Sequence, residues 1–405
     1  MTYNLRFSGF DDEWAKVKLG DIITLMQSGL SRQLSPEDIG VPVIRSNNIQ
    51  NGHVDISDIS YWYLKDTKGA KIENYFLKKN DLLINFINSL SQIGKNAVYN
   101  NELNRPTIFT TNIMRLNFKK EVNTYFMYYL FNTAYYKNYI DKITKPAVNQ
   151  ASFTTTDFKK MDLKIPDIIE QKQISEFLLL IDKKIELLEQ KHNYYQDFKK
   201  YLMQQIFAQK LRFNFSDEWK IVKLESLIKK GKAGGTPSST NSDYYNGDIP
   251  FLSIRDMTEQ GKYILKTEKT ITEEGLNNSS AWIIPKNSLL YSIYASIGLV
   301  AINRSDISTS QAIYGIILKE GVSLEYMYYY LTYFKKNIHK YIETGTQGNL
   351  NAKLLKSFEI LLPSLEEQEM IVNVLSIVDE KIENSKKEIE KINEFKKGLL
   401  QQMFI

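Results

Sequence analysis

The sequence predicts an α+β protein: two mixed α/β globular halves joined by two long antiparallel coiled-coil helices, an internal duplication with pseudo-two-fold symmetry. The first observation behind this is a repeat. Pro166-Asp167-Ile168-Ile169-Glu170-Gln171 opens a stretch ending Phe198-Lys199-Lys200-Tyr201-Leu202-Met203-Gln204-Gln205-Ile206-Phe207, and 197 residues later Pro363-Ser364-Leu365-Glu366-Glu367-Gln368 opens one ending Phe395-Lys396-Lys397-Gly398-Leu399-Leu400-Gln401-Gln402-Met403-Phe404, with no gap between the ends. The second is a repeated entry. Leu5-Arg6-Phe7, Asp12-Glu13-Trp14 and Val17-Lys18-Leu19 return as Leu211-Arg212-Phe213, Asp217-Glu218-Trp219 and Val222-Lys223-Leu224. The third is a contrast of pattern, because the repeated stretches step at helical spacing while the segments before them read as short strands and turns. The expected partition is 1–165, 166–209, 210–362 and 363–405, alternating globular half and helix.

After each entry come candidate strands: Pro42-Val43-Ile44, Asp81 to Ile84 and Asn112 to Leu116 in the first half, Ile249 to Leu252, Ser288 to Tyr291 and Ala312 to Ile317 in the second. Asn51-Gly52, Asn246-Gly247 and Gly234-Gly235-Thr236-Pro237 punctuate them. An aromatic-rich helix follows in each half, Tyr125 to Lys142 and Leu324 to Tyr341, and its tyrosines read as core. Lys137, Lys142, Lys335, Lys336 and Lys340 on these helices are candidate phosphate contacts, weighed against an ordinary solvated face.

The long helices carry a heptad seam through Ile174, Leu178, Ile181, Ile185, Leu188 and Leu202 in the first copy, and through Ile371, Leu375, Val378, Ile382, Ile389 and Leu399 in the second. Each begins with Pro and a capping box, Asp167 with Glu170 and Ser364 with Glu367, in which the Glu reaches back to the cap. About 40 residues at 1.5 Å rise make rods of roughly 60 Å. Lys199 and Lys396 occupy equivalent seam positions, and His192 faces Ile389, and Leu188 Ser385, in the alignment. The polar residues either set register at a cost in stability or, for the lysines, lay their stems along the seam with the amine in water. His192 reads as a seam filler.

Composition narrows the function. The chain has 405 residues, no cysteine, three scattered histidines and a net charge of +5. Thiolate chemistry, disulfides and Cys-ligated zinc are excluded, and the histidines have no metal-ligand spacing. The small basic excess is compatible with a polyanion partner but does not require one. No apolar run approaches a membrane span, so a soluble, unexported, cytoplasmic protein with no membrane partner is expected. Pro166-Asp167 followed by Glu170-Gln171-Lys172 has the letters of a nuclease motif, but within one helical turn its carboxylates cannot converge on a metal ion. Lys229-Lys230-Gly231-Lys232-Ala233-Gly234-Gly235 lacks the order of a phosphate loop. With no Pro-Pro anywhere there is no adenine-methylase signature. No catalytic residue and no metal ligand is assigned, and the chain reads as a binder.

The Leu-Arg-Phe and Asp-Glu-Trp entries, the Ile165-Pro166 and Leu362-Pro363 lead-ins with Glu-Gln and the Lys-Lys-x-Leu-x-Gln-Gln endings, each present twice and in this order, together with the second-half run Gly235-Thr236-Pro237-Ser238 and Gly247-Asp248-Ile249-Pro250-Phe251, resemble the DNA-specificity subunits of type I restriction-modification systems. The first half departs from the pattern at Ser28-Gly29-Leu30-Ser31, where the family often has a Gly-Thr-Pro turn. The resemblance implies two target-recognition domains that read the parts of a bipartite, asymmetric double-stranded DNA site, with the rods as a ruler for the unread spacer. It implies a non-catalytic subunit that binds no cofactor itself. Two modification subunits, which carry S-adenosylmethionine and methylate adenine, and motor-nuclease restriction subunits are the implied protein partners.

Base reading is expected on polar loops after the first strand, Arg45, Asn47 and Asn48 in one half and Arg255 and Asp256 in the other, since Arg forks onto guanine, Asn onto adenine and Asp accepts from cytosine. A second candidate loop precedes each rod, with Asn149, Gln150 and Ser152, and Gln347 and Asn349; Thr236 and Ser238 complete the set. Plain turn chemistry is the competing account of every one of these loops. The competing function is a two-headed coiled-coil interaction scaffold that binds protein or RNA.

Overall fold

The computed structural model describes residues 5–50, 52–147, 150–213, 215, 217–294, 296–340 and 350–404. Contacts group the chain into two compact units, residues 1–189 with 387–405, and residues 190–386. Each unit holds one globular half, the first part of the long helix that follows it and the last part of the other long helix. The grouping crosses the expected boundaries at 165, 209 and 362 for a physical reason. Ile174, Leu178, Ile181, Leu399 and Met403 pack into one core with Trp14, Phe126 and Phe158, so these helix segments are walls of a globular core as well as coiled-coil strands.

In unit one a four-stranded antiparallel sheet runs in the order Ile23–Ser28, Ile113–Phe118, Asp81–Asn85, Asn96–Tyr99. Asp81–Asn85 is buried along its whole length, which is why its centre, Leu82-Leu83-Ile84, is apolar without alternation. A three-stranded sheet (Ile108–Phe109, Gly40–Ile44, Ser60–Tyr63) covers a second core, and Ala15–Lys18 pairs with Asp162–Ile165. Unit two repeats the plan. Its five strands run Ile228–Ala233, Ile313–Leu318, Leu289–Ser292, Val300–Asn303, Tyr263–Ile264, beside Lys269–Ile271, Tyr245–Leu252, Ser308–Thr309 and the pair Lys220–Lys223 with Glu359–Leu362.

The long helices span Ile168–Phe207 and Leu365–Met403. Leu202, Ile371, Leu375 and Val378 are buried in unit two, while Ile185, Leu188, Ile382 and Ile389 are half-buried along the seam. Within unit two, His192 Nδ1 lies 2.8 Å from Ser385 Oγ and Lys199 Nζ 2.6 Å from Asp379; advancing along one helix retreats along the other, so the segments are antiparallel. The lysines do not reach for water. Lys199 pairs with Asp379, and Lys396 pairs with Asp182 at 2.5 Å, each on the facing helix. The same aspartates accept from buried tyrosines, Tyr329 at 2.5 Å and Tyr129 at 2.8 Å. Burial first, and then the facing carboxylate, push both hydroxyls far above their ordinary pKa. They stay protonated donors.

Two expectations are corrected. The helix expected from Tyr125 to Lys142 is two, Thr124–Leu130 and Ala134–Ile143. Thr133 breaks it, its hydroxyl donating to Leu130 O at 2.7 Å and accepting from Tyr136 N, so an internal N-cap outcompetes continuation. In the second half Leu324–Phe334 passes into a tighter turn at Lys335–Lys340. The capping boxes are also only half formed. Asp167 and Ser364 accept from early amides as expected, but Glu170 and Glu367 do not reach back. Each is buried and gripped by the entry arginine: Arg6 donates to Glu170 at 2.9 and 2.7 Å, Arg212 to Glu367 at 3.2 and 2.8 Å, and Trp219 adds an indole N–H at 2.9 Å. The next residues, Gln171 and Gln368, accept from Asn123 N and Ser323 N, which are the N-caps of the aromatic helices. The entry motif, the Glu-Gln motif and the aromatic helix of each half thus form one hydrogen-bonded joint.

Candidate nucleic-acid interface

Alignment of the strands Gly40–Ile44 and Tyr245–Leu252 brings the first candidate loops into register, with Arg45 opposite Ser253, Asn47 opposite Arg255 and Asn48 opposite Asp256. Both loops enter a short helical turn that is capped in the same way. Asn48 is 2% exposed: its Oδ1 accepts from Arg45 N at 2.8 Å, and its Nδ2 donates to Asp55 O and Asp58 O. Asp256 is 5% exposed and accepts from Ser253 N and Oγ and from Glu268 N. Asn48 and Asp256 are therefore loop staples, and their expected base reading is withdrawn, because their hydrogen-bonding groups are consumed inside the fold. Arg45 is drawn back onto Asp58 at 2.7 Å. Asn47 and Arg255 remain, exposed at the same position of the turn. Arg255 is held upright by Glu259 at 2.7 Å, with Glu268 at 3.7 Å.

Thr236 Oγ1 bonds Gln311 Oε1, and Ser238 Oγ lies 2.8 Å from Thr240 Oγ1. The glycines before them have packing reasons to be glycine. A Cβ on Gly234 would lie 2.1 Å from Thr309 O, and one on Gly29 would lie 2.0 Å from Phe109 O. Leu30 N and Gly235 N donate to those same carbonyls, each at 2.9 Å. Ser28-Gly29-Leu30 and Ala233-Gly234-Gly235 are thus one construction, although their sequences looked different.

Asn149, Gln347 and Asn349 lie outside the described residues. Gln150 is exposed and closes a small hairpin, its carbonyl accepting from Ala147 N at 2.7 Å. Ser152 lies on the strand Ala151–Ser152, which pairs on one side with Lys145–Pro146 and on the other with Ile87–Asn88. This pairing exposes a loop absent from the sequence expectations. It leaves the strand at Asn85, carries Asn88, Ser89 and the exposed Leu90 (67%), and closes where Gly94, at φ +78°, donates to Asn85 O. Unit two has the same loop through Tyr294 and Ser296, closed by Gly298 at φ +85° donating to Ser292 O. A shared Ile-Gly, Ile93-Gly94 and Ile297-Gly298, eight and five residues after the ends of the central strands at Asn85 and Ser292, was the signal that could have located it.

The lysines sort against this loop. Lys137 is exposed and lines a recess of about 330 Å³ with Leu90, Ser91 and Lys95, and Lys335 packs its stem toward Gly298. Lys142 is exposed at the last turn before the hairpin. Lys336 Nζ instead sits 3.8 Å over the Tyr333 ring, which packs on Phe207; the Lys340 side chain lies outside the described part of the structure. Asn85 Nδ2 donates to Ser46 O at 3.0 Å, so in unit one the turn bearing Asn47 abuts the root of the missed loop. One face thus gathers Asn47, the Asn88–Ser91 loop, Gln150, Ser152 and Lys137. Amides and hydroxyls flanked by ammonium groups suit base edges with phosphates beside them. Among the described residues no cluster of three or more His, Cys, Asp or Glu could hold a metal ion.

A profile of the type I restriction modification DNA specificity domain matches residues 11–194 and again 216–394. The chain belongs to this family. Among its relatives, a putative type I restriction enzyme specificity subunit, MjaX, of Methanocaldococcus jannaschii is 29% identical over 96% of this chain and 92% of its own length. The EcoR124I/EcoR124II specificity subunit of Escherichia coli is 28% identical over 55% of this chain and 56% of its own length. The crystal structure of a type I restriction-modification S subunit from M. genitalium superposes with a TM-score of 0.60 at 15% identity, covering 100% of this chain and 99% of the other. The corresponding subunit of Thermoanaerobacter tengcongensis gives 0.51 at 16% identity over 98% and 97%. These two show the shared fold. The chain is a specificity-family protein with two DNA specificity domains, whose work is sequence-specific DNA recognition in a type I restriction-modification complex.

Proposed function

We propose that each unit reads one part of a split, asymmetric duplex site and that the chain, itself non-catalytic, directs two modification subunits to adenines in that site. S-adenosylmethionine then belongs to those partners and motor-nuclease restriction subunits complete the assembly, in the cytoplasm. The observation that carries this reading is a repeated frame with unlike tips. The Arg-Glu-Gln joint, the strand order and the glycine-closed loop recur in both units, while Asn47 faces Arg255 and Asn88-Ser89-Leu90-Ser91 faces Tyr294-Ala295-Ser296 in the alignment. A frame copied for its fold, with its tips changed, suits two readers of different words.

The test is selection from random duplexes by the chain with its modification subunits, near physiological ionic strength so that phosphate binding does not mask base preference. The expected product is two short blocks of fixed sequence separated by a gap of constant length and no preference. One continuous block, or no enrichment, contradicts the proposal.

A further inference from the structure

In unit two the candidate loops meet at the turn from Ser310 to Ile313, which is closed by Ile313 N donating to Ser310 O at 3.1 Å. Ser310 N donates to Leu252 O at 3.3 Å, just before the cap that carries Arg255. Ala312 O accepts from Ile293 N at 2.9 Å and from Tyr294 N at 3.4 Å, at the root of the glycine-closed loop. Between these anchors stands Gln311, exposed, its carboxamide oxygen accepting from the Thr236 hydroxyl. The loop that brings Thr236 is pinned on both sides, since Gly235 N donates to Thr309 O at 2.9 Å and the Tyr245 hydroxyl donates to Pro237 O at 2.7 Å. Unit one builds the same turn. Ile113 N donates to Thr110 O at 3.0 Å, Thr110 N to Ile44 O at 3.0 Å, and Phe86 N and Ile87 N to Asn112 O at 3.2 and 3.4 Å. There Thr111, half-buried, stands in the place of Gln311, and Ser31 in the place of Thr236.

The Thr236 contact is not needed to hold the loops, which their backbone hydrogen bonds already fix; what it does is aim an exposed amide. With Oε1 accepting from Thr236, the two Nε2 hydrogens face away from that hydroxyl, and Oε1 keeps a second lone pair. A donor and an acceptor on one planar edge match N7 and the N6 amine of adenine in the major groove. We propose that Gln311 reads an adenine in the block recognised by unit two, with Thr236 as its positioning residue. Thr111 offers one hydroxyl on a shorter stem where Gln311 offers an amide edge, so the same turn in unit one does not ask for adenine by a paired contact. The duplicated turn is then a socket for one letter, filled differently in the two halves. This rests on the reading of each unit as a DNA reader, and it names one base of the word read by unit two.

The test is selection from random duplexes by the full chain with its modification subunits, near physiological salt, for the wild type, Gln311→Ala and Gln311→Glu. The wild type should return a split site with an adenine in one block. Gln311→Ala should lose about tenfold of the discrimination at that base pair, with the other block and the unfolding midpoint unchanged. Gln311→Glu should move the preference there toward cytosine, whose N4 amine donates to a carboxylate. Thr236→Val should lose part of the same discrimination and Thr236→Ser should restore it; a Thr236→Val that selects as the wild type does removes its positioning role. Unchanged selection by both Gln311 variants, relaxation at a base pair other than A·T, or weakening that is equal across all sequences overturns the proposal while the split site of the wild type stands. A wild-type chain that selects no split site removes the proposal and the functional reading together.

Discussion

Asp256 and Arg255 are neighbours in sequence with opposite fates in the fold. Asp256 is spent on Ser253 and Glu268, whereas Arg255 presents an exposed guanidinium. Arg255→Ala should therefore leave the unfolding midpoint unchanged and relax preference at one base position, losing about 1–3 kcal/mol of discrimination. Asp256→Ala should do the reverse, costing about 1–2 kcal/mol of stability by removing the capping-box partner of Ser253, with the surviving folded protein keeping its preference. Urea titration and duplex competition separate the two. The joint residues make a third case. Arg212→Ala would strand the buried Glu367 carboxylate, which still accepts from Trp219, and should cost about 2–3 kcal/mol, less than a fully buried pair because Arg212 is partly exposed. At this scale the sequence was only partly legible. Asn, Asp and Arg in a turn have the same letters whether they face a base or their own backbone, and only burial distinguishes Asn48 from Asn47. The Glu of each presumed capping box went to an arginine more than 150 residues away, a pairing that no local pattern encodes.

The long helices were the most legible elements, because heptad spacing, a leading Pro and a cap are local signals and the repeat displayed them twice. What the pattern left open was the purpose of the polar seam residues, and here the facing aspartates decide. Asp182 and Asp379 each satisfy a tyrosine and a lysine, so Asp182→Ala should leave the Tyr129 hydroxyl and Lys396 without their shared acceptor and cost about 2–4 kcal/mol. Thermal unfolding read beside a surface control such as Glu388→Ala checks this. The aromatic helix was less legible, since its apolar rhythm runs on through Thr133 and only the competing hydroxyl reveals the break. The loop closed by Gly94 was missed because it has neither strand nor helix rhythm and takes its shape from pairing with a hairpin over 50 residues later. Lys137 beside that loop should behave as a phosphate contact. Lys137→Ala is expected to weaken binding equally across sequences and to reduce the salt-dependence slope by about one, whereas an unchanged slope would move the DNA elsewhere.

For the molecule as a whole, duplication carries the account. Two matches to one DNA specificity domain, on two units with the same joint and different tips, call for one reader per unit and a target with two words. That much was visible in the spacing of the repeats, while the different fates of Asn47 and Asn48 were not, since they depend on which side chains the fold buries. The central claim is that this chain alone sets the sequence that its partners methylate. Sequencing of N6-methyladenine in host DNA, with the modification methyltransferase expressed and the gene for this chain present or deleted, tests it most directly. The account predicts methylation confined to one split motif that disappears on deletion and returns on complementation. Methylation that persists unchanged without this chain, from a methyltransferase shown to bind it, would contradict the claim.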